Sequence, residues 1–91
     1  MAIVLEGHSK VPVDELETIK NSLNEHIQNT LNEDGCLEFT VEQDGIDECI
    51  FNVFEKFRDS DAFDAHQERV KTSYWGAITK NVKRVYRKHS R

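Results

Sequence analysis

Apolar residues recur along the chain with two alternating periods, and the changes of period mark its elements. Between Ala2 and Val11, Ile3, Val4 and Leu5 are consecutive, so this segment offers apolar groups to both sides, as a strand covered on both faces does. Pro12 ends it and suits the first turn of a helix. From Val13 to about Asn32 the apolar positions are Leu16, Ile19, Leu23, Ile27 and Leu31, spaced by 3, 4, 4 and 4, which predicts one stripe of an amphipathic helix. Gly35 follows as the stop. Cys36 to Gln43 then alternates, with Leu37, Phe39 and Val41 on one face and Glu38, Thr40 and Glu42 on the other. That is a half-exposed strand. Asp44-Gly45-Ile46-Asp47 supplies a turn, and Glu48 to Phe57 returns as a strand apolar on both faces. Ser60 suits the N-cap of a helix from Asp61 to about Lys71. A short helical turn over Ser73 to Thr79 and a strand over Val82 to His89 complete the chain.

This order is β-α-β-β-α-β, the α+β ferredoxin-like arrangement, and its 91 residues make a single domain, 1–91. Right-handed crossovers place the first and third strands at the centre of an antiparallel sheet. Those are the two strands apolar on both faces. Helices cover one face only, so the pattern predicts a homodimer with sheets packed face to face.

Charge alters the picture little. The net charge of −5 conceals a split: from Arg69 onward there are eight Lys and Arg and no acidic residue. A basic strand alone is a non-specific signal, and the clean alternation of the last strand argues for acidic neighbours in the fold rather than for nucleic acid. No apolar run approaches a membrane span, and the first residues lack a basic leader and an apolar core, which together point to a cytoplasmic protein with no membrane partner. Cys36 and Cys49 flank one hairpin in a geometry that does not permit a disulfide. The four histidines are scattered without ligand spacing, and no phosphate cradle or nucleotide fingerprint is present, so neither metal nor cofactor is expected.

Candidate chemistry concentrates between Phe51 and Gly76. Ala62, Phe63, His66 and Val70 share a helix face, so the His66 imidazole is expected to point toward the sheet, where it suits general base work. Glu55 is a carboxylate inside an apolar strand and requires a partner. Phe63, Tyr74 and Trp75 are candidate pocket walls, and Asn52 is either a satisfied buried amide or a substrate donor.

The same residues carry a resemblance. Glu33-Asp34-Gly35-Cys36-Leu37-Glu38-Phe39, Phe54-Glu55-Lys56-Phe57 and Ala62-Phe63-Asp64-Ala65-His66-Gln67 are similar to segments of the antibiotic biosynthesis monooxygenase-like family of small dimeric α+β barrels. That family includes quinol monooxygenases, haem-degrading enzymes and a sugar-phosphate isomerase. The haem-degrading branch uses an asparagine on the first strand, a tryptophan on the second helix and a histidine further on. Here those places hold Glu6 or Gly7, His66, and Trp75 or Gly76, which argues against haem chemistry. His66 matches the histidine of the quinol-type and isomerase branches, and Glu55 falls on a family position.

The resemblance implies a cofactor-free monooxygenase acting on a small phenol or quinol with O2, His66 serving as base. Glu55 or Asn52 would orient substrate or imidazole. Two rivals stand beside it: an isomerase of a small phosphorylated keto sugar, and a non-catalytic dimeric small-molecule-binding module. An apolar, neutral pocket favours the quinol, a converging Arg or Lys favours phosphate, and no cavity favours the module.

Overall fold

Alternation and helical period give the elements that the pattern predicts, with departures in the second half of the first helix and where the chain turns. The computed structural model describes all 91 residues. Its elements are β1 (Ile3–Lys10), a 3-10 turn (Val13–Glu15), α1 (Leu16–Leu31), β2 (Cys36–Gln43), β3 (Ile50–Phe57), α2 (Ser60–Lys71), α3 (Tyr74–Ile78) and β4 (Lys83–Ser90). The sheet order is β2-β3-β1-β4, antiparallel throughout, with β1 and β3 central. This is the ferredoxin-like arrangement.

Register decides which residues meet the helices. Leu5, Gly7 and Ser9 of β1 lie opposite Glu55, Val53 and Phe51 of β3. On the other side the same three residues lie opposite Lys88, Tyr86 and Arg84 of β4. This face is the buried one. Its core is in two parts: Leu5, Phe57, Ala62 and Phe63 at one end, and Val11, Leu16, Ile19 and Phe51 at the other. Between them lie buried polar side chains, His26, Glu55 and His66, where a continuous core would have apolar ones.

Four details differ from the sequence pattern. The buried stripe of α1 is Leu16, Ile19, His26 and Thr30, while Leu31 is exposed. A straight helix continues from Leu16, Ile19 and Leu23 at a spacing of three to His26, so the polar residues inherit the inner face and Ile27 and Leu31 rotate off it. Leu37 is exposed because a register shift between Cys36 and Glu38 takes it out of the alternation. The hairpin connection runs to Cys49, so β3 starts at Ile50. It is stabilised by Asp44, whose carboxylate accepts from the backbone N–H groups of Ile46 and Asp47 and from Asn52. Finally, the N-cap of α2 is Asp59, which accepts from Ala62 N at 2.8 Å, and Ser60 is the first helical residue.

The two cysteines are free. Cys36 lies opposite Phe57, whereas the carbonyl of Cys49 accepts from Val11 N at the other end of the sheet. No helix is long and apolar enough to cross a membrane.

Candidate active site

The Asp59 cap fixes the first turn of α2, and a single face of that helix buries Ala62, Phe63 and His66. Phe63 meets Phe57 of β3 edge to face, with ring centroids 5.8 Å apart. This contact seats the helix on the sheet and brings the His66 ring within 4.9 Å of Phe57. His66 is only 3% exposed.

Its two ring nitrogens have different surroundings. Nδ1 lies 3.0 Å from each carboxylate oxygen of Glu33, in the turn between α1 and β2. Arg69, one helical turn after His66, donates through Nε to the same carboxylate. Arg69 also donates to the Thr30 hydroxyl at 3.0 Å, which donates to the His26 carbonyl at 2.9 Å. A chain of bonds thus runs from the α1 backbone through Thr30, Arg69 and Glu33 to the imidazole. It holds the proton on Nδ1 and leaves Nε2 with a free lone pair. Nε2 faces Glu55 Oε1 at 3.8 Å.

Glu55 is 7% exposed, and its Oε1 has no hydrogen-bond partner. Burial first, and the nearby Glu33 charge second, raise its carboxyl to about 7, against a smaller opposing pull from Arg84. His66 is shifted the other way: burial lowers it and outweighs Glu33, which favours the charged form. A neutral imidazole therefore stands ready as a base near pH 7 beside a carboxyl that titrates there. His26, 6% exposed, is pushed down to about 3 by burial and then by the neighbouring His66 and Arg69, so it stays neutral. Its ring stacks on Trp75 at 4.4 Å, with the planes within 6°.

These groups line one cavity of about 210 Å³ in the gap between the two halves of the core. Most of its wall is apolar, including Phe39, Phe51, Val53 and Trp75. Glu55 is the one carboxylate and Arg84 the one permanent cation along it, with Ser9, Gln67, Thr79 and Tyr86 as further polar groups. The Cys36 thiol is pushed up to about 11 by burial and the charges of Glu33 and Glu55, which makes it a poor nucleophile. No group of three or more His, Cys, Asp or Glu side chains is placed to hold a metal ion.

Of the residues singled out in the sequence, the structure brings His66, Glu55 and Trp75 to this cavity. Phe63 is buried but packs beside it in the core rather than along its wall. That corrects its place as a pocket wall, and two further expectations are corrected. Asn52 is exposed, not buried, because its strand position points it away from the helices, and it bonds Asp44 instead. Tyr74 is 66% exposed and does not reach the cavity, since α3 turns the adjacent Trp75 inward in its place. Four residues of the site escaped the sequence reading: Glu33, His26, Arg69 and Arg84. Glu33 carried one signal, a carboxylate just past a helix C-terminus, where the dipole disfavours it unless a cation is near.

A four-stranded antiparallel sheet covered by helices on one face, with a buried imidazole beside an apolar cavity, places the chain among small ferredoxin-like α+β proteins. Residues 2–75 match the profile of the antibiotic biosynthesis monooxygenase family, and the chain belongs to that family. No curated protein matches it. Solved structures share the fold. One from Deinococcus radiodurans, provisionally assigned to the same family, aligns with a TM-score of 0.81 at 20% identity over 100% of this chain and 92% of its own. One from Nitrosomonas europaea, assigned in the same provisional way, gives 0.80 at 18% identity over 97% and 86%. A Bacteroides thetaiotaomicron protein of unknown function, described as a possible oxidoreductase, gives 0.76 at 17% identity over 97% and 95%.

Proposed function

We propose that the chain is a cofactor-free monooxygenase that oxidises a small phenol or quinol with O2, with His66 as the general base. The observation that carries this reading is the division of labour at His66. One nitrogen is fixed by Glu33 while the other faces an apolar cavity and an unpartnered carboxyl. His66 Nε2 removes a phenolic proton, and the electron-rich ring then gives one electron to O2. The radical pair joins at a ring carbon that bears hydrogen, forming a hydroperoxide, which loses water to leave a carbonyl. The balance is phenol plus O2 to quinone plus H2O, so the substrate supplies every electron. Apolar walls keep water from the charged intermediates. A cavity of this size admits one small aromatic nucleus.

Family membership supports the reaction class, and the wall composition supports the substrate class. The presence of a cavity favours an active site over a non-catalytic binding module. Arg84 at the wall is the anchor that a second reading would use, an isomerase of a phosphorylated keto sugar in which His66 moves a carbon-bound proton. We also propose that the working unit is a homodimer, with a second copy covering the sheet face opposite the helices. Oxygen uptake against a panel of quinols and naphthols, with mass spectrometry of the product, tests the leading reading. Consumption of O2 with gain of one oxygen atom in the product is expected. No uptake with any member, together with proton exchange on a phosphorylated ketose, would transfer the assignment to the isomerase.

A further inference from the structure

Arg84 is an unpaired cation on the wall of a mostly apolar cavity. Its guanidinium donates to the Thr79 hydroxyl at 3.0 Å and, at 3.4 Å each, to the carbonyls of Thr79 and Val82. All three acceptors are neutral. No carboxylate lies within ion-pairing distance, although the chain has 17 acidic residues and Glu55 faces the same cavity. Thr79, one of its anchors, is buried, whereas Arg84 itself is exposed, so the guanidinium is held where the cavity opens to solvent. The charge is felt inside: it lowers both His26 and Glu55.

Register gives the direction. Arg84 lies opposite Ser9 of β1, whereas Glu55 lies opposite Leu5. Four residues of strand, roughly 13 Å between backbones, separate the cation from the carboxyl–imidazole pair. β4 also lies beyond residues 2–75, the part matched to the family profile, so Arg84 belongs to a strand on which that match says nothing.

We propose that the ligand of this cavity is a hydroxyaromatic monocarboxylate, its carboxylate held by Arg84 at the mouth and its hydroxylated ring directed inward toward His66 and Glu55. This deepens the monooxygenase reading and rests on it only in taking the cavity as the substrate site. A single guanidinium matches a monoanion, whereas a phosphate dianion in so apolar a wall would call for more donors than the cavity offers. Hydrogen bonds from a charged donor make the expected preference for an acid over its neutral counterpart about ten- to a hundredfold.

Trp75, the only tryptophan in the chain, lines the cavity and reports its occupancy by fluorescence. Titrations without oxygen, using 6-hydroxy-2-naphthoate (hydroxyl and carboxylate at opposite ends of the ring system), 2-naphthol and 2-naphthyl phosphate, separate binding from turnover. The wild type should bind the carboxylate at least tenfold more tightly than 2-naphthol. Arg84→Gln should abolish that preference while binding 2-naphthol unchanged, and Arg84→Lys should keep part of it, with circular dichroism confirming that each variant is folded. Equal affinity for acid and naphthol, a preference that survives in Arg84→Gln, no saturable quenching, or tighter Arg84-dependent binding of the phosphate would each overturn the proposal. Failure here with oxygen uptake on neutral quinols intact leaves the monooxygenase reading standing. Success here with no uptake sinks that reading alone.

Discussion

Glu55 couples the site to the stability of the fold. Its carboxyl stands at about 7 in the folded chain, against 4.5 as the ordinary value, chiefly because burial penalises the charged form. The folded state thus holds this proton more tightly than the unfolded state does. The corresponding stability is full below about 4.5 and is lost as pH rises through about 7. Its upper bound is roughly 3 kcal/mol. Glu55→Gln keeps the shape and removes the titration, so urea unfolding should show the wild type losing stability relative to the variant between those limits. Parallel curves would mean that Glu55 is not held in a desolvated place. His66 and Glu55 were legible in the sequence for one reason: each breaks an otherwise apolar face. His26 and Thr30 break the stripe of α1 in the same way, but the apolar Ile27 and Leu31 one position later carry the spacing of four onward, so in the sequence the stripe runs through them instead. Glu33 could not be assigned, because the path of a turn places it on His66.

Among the elements, β4 is the edge strand that completes the cavity wall, and its seating depends on Gly7. A Cβ at Gly7 would overlap the Val85 carbonyl oxygen and lie 2.9 Å from Tyr86 Cα. Gly7→Ala must therefore push β4 from β1, which should cost about 2–4 kcal/mol in chemical unfolding. Gly45, with nothing within 4 Å of its would-be Cβ, is the internal control and should tolerate alanine within about 0.5 kcal/mol. Equal stability of the two variants would show that the strands do not approach this closely. Element order and sheet centre were readable because period two and period 3.6 alternate cleanly along the chain. What the pattern missed lies where a side chain replaces backbone regularity: the Leu37 register shift, the Asp44 turn and the Asp59 cap. Gly35 was rightly read as a stop, and its φ of +90° explains why glycine is needed there.

For the molecule as a whole, the question is what covers the second sheet face. Val85 on that face is 61% exposed, and Phe54 and Ile50 are half-buried. Polar neighbours such as Glu6, His8 and Arg87 share it, so the face is less apolar than the consecutive residues of β1 suggested. Val4, opposite Lys56 and His89 in the sheet, is already buried within one chain. Sedimentation at micromolar concentration should nevertheless give twice the 10.6 kDa chain mass. A folded monomer would end the face-to-face dimer. The basic C-terminal segment also resolves at this scale: Arg69 serves Glu33, Arg87 serves Glu6 and Lys88 lies over the Phe63 ring, so several of its charges have partners within the fold.

The central claim is that His66 takes a proton from the substrate, and one rate comparison tests it. On any quinol that the wild type oxidises, oxygen uptake per folded chain should fall by about 10²–10⁴-fold in His66→Gln, the usual worth of a positioned base. Glutamine keeps a hydrogen bond to Glu33 but cannot accept the proton. A His66→Gln protein that melts at a lower temperature yet oxidises quinol at the wild-type rate per folded molecule would contradict the claim and leave His66 a structural residue.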